Sequence, residues 1–125
     1  MGAADVYRVM GDPERSLYGG PHAHIYAWDS RGISLQISDP GFVRRNDPGG
    51  VTEITVTGGS WATAEGIAVG ASELRVQAML GKPTAVEHPR PGPPLTLYKY
   101  RDRLMWIYVD GNSGTVSGIR LWKYW

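Results

Sequence analysis

Three blocks of this chain occur twice, in the same order, and that repetition limits the folds open to it. "VYRVMGDP" (residues 6–13) matches "VQAMLGKP" (76–83), with Val, Met or Leu, Gly and Pro in step. "YAWDSRGISLQI" (26–37) matches "YKYRDRLMWIYV" (98–109), and "VTEITV" (51–56) matches "VSGIRL" (116–121). Only the loops between the blocks differ in length. A chain built this way carries two copies of one supersecondary unit, neither of which buries its apolar face alone.

Each block has a physical reading. In "SELRVQAMLGKP", Ser72 is a good N-cap, because its hydroxyl oxygen accepts from an unpaired backbone N–H. Leu74, Ala78 and the group Val76, Met79 and Leu80 supply a helical apolar stripe. Gly81 suits the position after the last turn and Pro83 stops continuation; Gly11 and Pro13 do the same in the first copy. A short helical turn starting near Thr63 is expected before this helix, with Gly66 weakening it. A proline- and glycine-rich loop follows each helix, most plainly "EHPRPGPP" (87–94).

Alternating β-branched and aromatic residues then predict three strands per copy. They fall near 23–29, 32–38 and 51–57, and near 95–101, 103–110 and 115–123, with "DGNSGT" (110–115) as a hairpin turn. The expected fold is α+β: an antiparallel β-sheet from two repeated helix-plus-three-strand units, with the helices packed on one face. The 125 residues make a single domain of two units, about 5–57 and 61–123, the first lacking an opening helical segment.

Composition excludes several functions. Thirteen basic residues scattered among 12 acidic ones give a net charge of +1, without the basic stripe that nucleic acid requires. There is no cysteine, so no disulfide, thiol nucleophile or thiolate metal site. The opening "MGAADVYRVMG" lacks the charged-then-apolar pattern of a signal peptide. No apolar run approaches the ~18 residues of a membrane span.

The second copy resembles a known unit. Gly66, Ile67, Gly70, Ser72, Val76, Leu80, Gly81 and Pro83, followed by Tyr98, Met105, Ile107, Val109, Val116 and Ile119, follow the "GI…G.S…V…LG.P", tyrosine-strand, "I.F.V" and "V..I.V" pattern. This is similar to the beta-lactamase inhibitory protein family and to the small outer-membrane lipoproteins of the barrel-assembly machinery. The first copy matches from Val6 onward. The resemblance implies a protein-binding module of an extracytoplasmic kind, secreted or periplasmic, with no cofactor and no catalysis.

The repeat also sorts the faces of the sheet. Positions apolar in both copies are expected in the core: Ile33/Met105, Leu35/Ile107, Ile37/Val109, Ile54/Ile119, Val56/Leu121, Tyr26/Tyr98 and Trp28/Tyr100. The intervening positions point the other way. They are Ser34, Gln36, Thr55 and Thr57 in the first copy, but Trp106, Tyr108, Arg120 and Trp122 in the second. Large rings have about 150–250 Å² each to bury, and Trp, Tyr and Arg are the residues that dominate interface hot spots. These four, with Tyr124 extending the aromatic run, are therefore the candidate partner-binding residues. Protein is the first expected partner and carbohydrate the second. The alternatives are cover by the chain's own N-terminal segment or long first-copy loop, or a homodimer through the same face in a structural or envelope-assembly role.

Catalytic constellations are absent. His22 and His24 in "PHAH" have the spacing of two metal ligands on a strand, with Asp29 or Asp39 to complete a site. They read better as loop histidines, as does His88. "TGGS" (57–60) lacks the lysine and spacing of a phosphate cradle. Arg44 and Arg45 read as a solubilising pair, and no nucleophile motif or carboxylate pair is present. The chain is expected not to be an enzyme and to need no cofactor.

Overall fold

All six stretches in which β-branched and aromatic residues alternate are strands in the computed structural model, which describes residues 3–41, 45–46 and 48–123. They are β2 (Ala23–Trp28), β3 (Ile33–Ser38), β4 (Gly50–Val56), β6 (Leu95–Tyr100), β7 (Met105–Asp110) and β8 (Val116–Trp122). Two further strands lie where proline- and glycine-rich loops were expected: β1 (Arg15–Tyr18) and β5 (Ala85–Glu87). Helices α1 (Ala3–Met10) and α2 (Glu73–Leu80) have eight residues each.

The strands form one antiparallel sheet in the order β1-β2-β3-β4-β8-β7-β6-β5. This corrects the expected architecture. Two helix-plus-three-strand units with a helical layer on one face are replaced by a single eight-stranded sheet, each half of it a four-strand meander. The helices are too short to make a layer. α1 reaches the core through Val6 and Met10, and α2 through Val76 and Leu80; the irregular segment 61–71 adds Trp61, Ile67, Val69 and Ala71. The helical turn expected near Thr63 is instead a bridge between Ala62 and Ala68. The expected stripe on α2 is also corrected, since Leu74, Ala78 and Met79 are exposed.

Register explains which side chains meet. Across the seam, Ile54 pairs with Leu121 and Val56 with Ile119; within the halves, Ile33 pairs with Val56 and Met105 with Leu121. Side chains alternate between faces, so these rows put Trp28, Ile33, Leu35, Tyr98, Tyr100, Ile107 and Val109 on one side, where they form a continuous buried cluster. Two tyrosines of β6 hold α2 against it. Tyr98 Oη donates to the Glu73 carboxylate at the first turn, and Tyr100 Oη donates to Gly81 O at the last, 3.1 Å. Burial pushes both phenols above their ordinary pKa, and the Glu73 carboxylate adds to the effect at Tyr98.

The turns between β2 and β3 and between β6 and β7 are built alike. A 3₁₀ turn (Asp29–Arg31, Arg101–Arg103) ends in a left-handed residue, Gly32 at φ 68° and Leu104 at φ 53°. The residue after the proline caps each turn: Glu14 accepts from Ser30 N at 3.2 Å, and Thr84 Oγ1 from Arg101 N at 3.1 Å. Glycine is required at 32 by space as well as by φ, because a Cβ there would lie 2.4 Å from the carbonyl carbon of Gly58.

Candidate protein-binding face

The face away from the core cluster carries the candidate residues, and strand pairing dictates their arrangement. Trp106 lies opposite Arg120 and Lys99, and Arg120 opposite Thr55. Trp122 lies opposite Glu53, and Tyr108 opposite Gly118 and Leu97. Trp106, Tyr108, Arg120 and Trp122 therefore come together on one face, as alternation required. Tyr124 lies outside the described residues.

The rings pack edge to face. The centroids of Trp106 and Trp122 are 4.7 Å apart at 70°, and those of Trp106 and Tyr108 are 6.4 Å apart at 63°. Cations flank them: Lys99 Nζ lies 4.4 Å from the Trp106 centroid, and the Arg120 guanidinium 5.5 Å from that of Trp122. Each cation has its own acid. Arg120 pairs with Glu53 at 2.7 Å, and Lys99 pairs with Glu87 on β5. The result is a half-buried aromatic plate whose charges are neutralised internally. Lys99, Glu53 and Glu87 were not singled out from the sequence. Lys99 was within reach, since it alternates with the core residues Tyr98 and Tyr100.

Beside the plate the sheet is hollow. Gly118 has no side chain to fill the space opposite the Tyr108 ring, and a groove of about 350 Å³ opens there, bordered by Thr55, Thr57, Tyr108, Ser117 and Arg120. The first-copy positions Ser34, Gln36 and Thr55 continue the face as a half-buried polar surface toward β2.

The metal candidates do not converge. His22 sits in the turn before β2 with Nδ1 3.3 Å from Asp39 Oδ2, while His24 stacks on Tyr26 at 6.3 Å on the core side. Asp29 is engaged by Arg15 through two hydrogen bonds of 2.7 and 3.0 Å, which hold its carboxyl below the usual range. No group of three His, Asp or Glu side chains placed to hold a metal occurs among the described residues. His88 lines a groove of about 520 Å³ under the proline-rich loop, with Arg90, Pro91, Pro93, Leu95 and Gly111. Arg45 is exposed, and Arg44 lies outside the described residues. No helix among the described residues is long and apolar enough to cross a membrane.

The fold has relatives. A DUF4309 family protein from Bacillus subtilis superposes with a TM-score of 0.54 at 18% identity, over 97% of this chain and 77% of its own. A cysteine-rich secretory protein from Staphylococcus aureus gives 0.59 at 15% identity, over 96% of this chain. An extracellular protein containing an SCP domain from Bacillus anthracis gives 0.58 at 9% identity, over 95%. This chain spans 43% and 42% of the last two. At such identities the likeness is one of fold alone. The descriptions of these three differ from the inhibitors and lipoproteins whose motif the second copy resembles. No protein-family model matches the chain, and no curated protein does.

Proposed function

We propose that this chain is a non-enzymatic binding module, and that the plate of Trp106, Tyr108, Trp122 and Arg120 is the surface it offers to another protein. The observation that carries the reading is the packing of three large rings on the face opposite the core cluster, where each remains partly exposed. Tryptophan, tyrosine and arginine are the residues most enriched at interface hot spots. The inhibitor-like motif of the second copy points the same way. Two of the fold relatives are described as secretory and extracellular, which supports an extracytoplasmic setting for this chain.

Because Lys99 and Arg120 already have acids, the plate offers apolar area and ring faces rather than net charge. Partner binding then depends weakly on salt, unlike binding driven by unpaired charge. The test is acrylamide quenching of the native protein beside Trp106→Phe and Trp122→Phe. Buried Trp28 stays protected, and each substitution removes part of the quenchable emission. Uniform protection of all tryptophans would mean that the plate is already covered.

The same face as a homodimer interface is the second reading, favoured by the internal neutrality that lets two identical plates approach without repulsion. Sedimentation separates the two: a dimer abolished by Trp122→Ala supports the second reading and removes the first.

A further inference from the structure

The two edges of the sheet are protected unequally. β5 is three residues long, and its Glu87 is tied to Lys99. It runs into a loop in which Pro89, Pro91, Pro93 and Pro94 have no N–H to offer. An edge so guarded resists strand addition. β1 is one residue longer and has its own ion pair, Arg15 with Asp29, but no proline between Glu14 and Gly20 removes an outward donor. All four of its residues are exposed, among them Leu17 at 40% and Tyr18 at 77%, and among the described residues no strand pairs with its outer side.

The direction of its backbone groups follows from one bond. Gly19 N–H donates inward to Ala23 O at 3.2 Å, and β1 pairs with β2 in the register Leu17 to Ile25. Alternation then turns the N–H and C=O of Arg15 and Leu17 inward, and those of Ser16 and Tyr18 outward. We infer that this outer edge pairs antiparallel with β1 of a second copy of the chain, about a two-fold axis at Leu17, continuing the sheet across both molecules.

The register is self-complementary in three respects. Ser16 faces Tyr18 of the second copy and Tyr18 faces its Ser16, so the four outward donors and acceptors of each edge are used in four hydrogen bonds. Leu17 faces Leu17 across the axis, and a two-fold perpendicular to the sheet keeps both on the same side, joining apolar groups that are now exposed. Each Arg15 falls opposite Gly19 and keeps its own Asp29, so no like charges meet. The shifted register with Ser16 on the axis makes only two of the bonds. A ladder this short buries less than the roughly 1,200 Å² of a stable interface, so the pair forms and dissociates with concentration.

This inference does not depend on the aromatic plate, and its test keeps the two apart. The chain has no cysteine, so single Cys substitutions report the register directly. Leu17 and its mate form the close, non-hydrogen-bonded pair with Cα atoms about 4.5 Å apart, within the 4.4–6.8 Å that a disulfide spans. Leu17→Cys should cross-link to a dimer under mild oxidation, while Ser16→Cys and Tyr18→Cys should not, each facing a different residue. Sedimentation of the native chain should show a concentration-dependent mass. Ser16→Pro removes only an outward donor and should weaken association about tenfold or more, the equivalent of ~1.4 kcal/mol, whereas Trp122→Ala should leave it unchanged. A chain monomeric at every concentration, equal cross-linking at all three positions, or a dimer lost with Trp122→Ala and kept with Ser16→Pro overturns the inference.

Discussion

Replacing Trp106 by alanine measures how far the aromatic plate is structural. The ring has about 150–250 Å² of surface, and about two thirds of it or more is covered, by Trp122, Tyr108 and the Lys99 stem among others. At ~25 cal/mol per Å², losing about 100 Å² of cover costs ~2.5 kcal/mol, an upper estimate because the unfolded chain is not fully extended. The edge-to-face pair contributes about 0.5–1.5 kcal/mol beyond area, and the cation–π contact about 0.5–1. These terms overlap, so Trp106→Ala should cost about 2–4 kcal/mol. Set against a total stability of ~5–15 kcal/mol, that leaves a folded protein at room temperature. Urea unfolding at unchanged m-value is the assay, with Trp28→Ala in the buried core as the reference at about 3–5 kcal/mol. A loss under ~1 kcal/mol would mean that the rings do not pack together in solution. A loss beyond ~4 kcal/mol, matching that of Trp28→Ala at the upper end of its range, would make Trp106 a core residue and remove it from the binding surface.

Other perturbations follow from the same geometry. Gly32→Ala forces a Cβ against Gly58 at a left-handed φ and should cost more than ~3 kcal/mol, read as a lowered Tm, while Leu104→Gly relieves a left-handed leucine and should be close to neutral. The phenols of Tyr98 and Tyr100 have folded pKa values above the ordinary 10, so their contribution is whole below pH 10 and is lost as pH rises through the folded values. Stability measured from pH 9 upward should therefore fall, and Tyr98→Phe should flatten that fall; an unchanged slope would refute the assignment. Ser72→Ala removes the hydroxyl that accepts from Arg75 N at 3.1 Å and should cost ~1 kcal/mol by thermal unfolding.

Much of this arrangement was legible in the chain, for identifiable reasons. Alternation located six strands to within two residues and separated Trp106, Tyr108, Arg120 and Trp122 from Met105, Ile107, Ile119 and Leu121, because a half-buried strand writes its two faces directly into the sequence. β1 and β5 left no such mark. They have four and three residues and are exposed throughout, so no buried face imposes a period on "RSLY" or "AVE". α2 misled through brevity: two turns give room for a single buried pair, Val76 and Leu80, and the further Leu and Met in the segment suggested a wider stripe. The acids that neutralise Lys99 and Arg120 come from β5 and β4, and only the strand order reveals that these lie alongside.

The seam between β4 and β8 has a mechanical consequence. Every other ladder joins strands adjacent in sequence, so each meander closes on itself through local connections, the longest of them the loop 39–49 between β3 and β4. Among the described residues the two meanders meet through one ladder, the four pairs from Glu53–Trp122 to Val56–Ile119, continued by Lys123 N–H donating to Thr52 O at 2.9 Å. Loop-closure entropy is small within a meander and large across the seam. The halves should therefore assemble early and the sheet should zip shut last. Under tension applied across the sheet, the same four pairs would be the line along which the molecule parts.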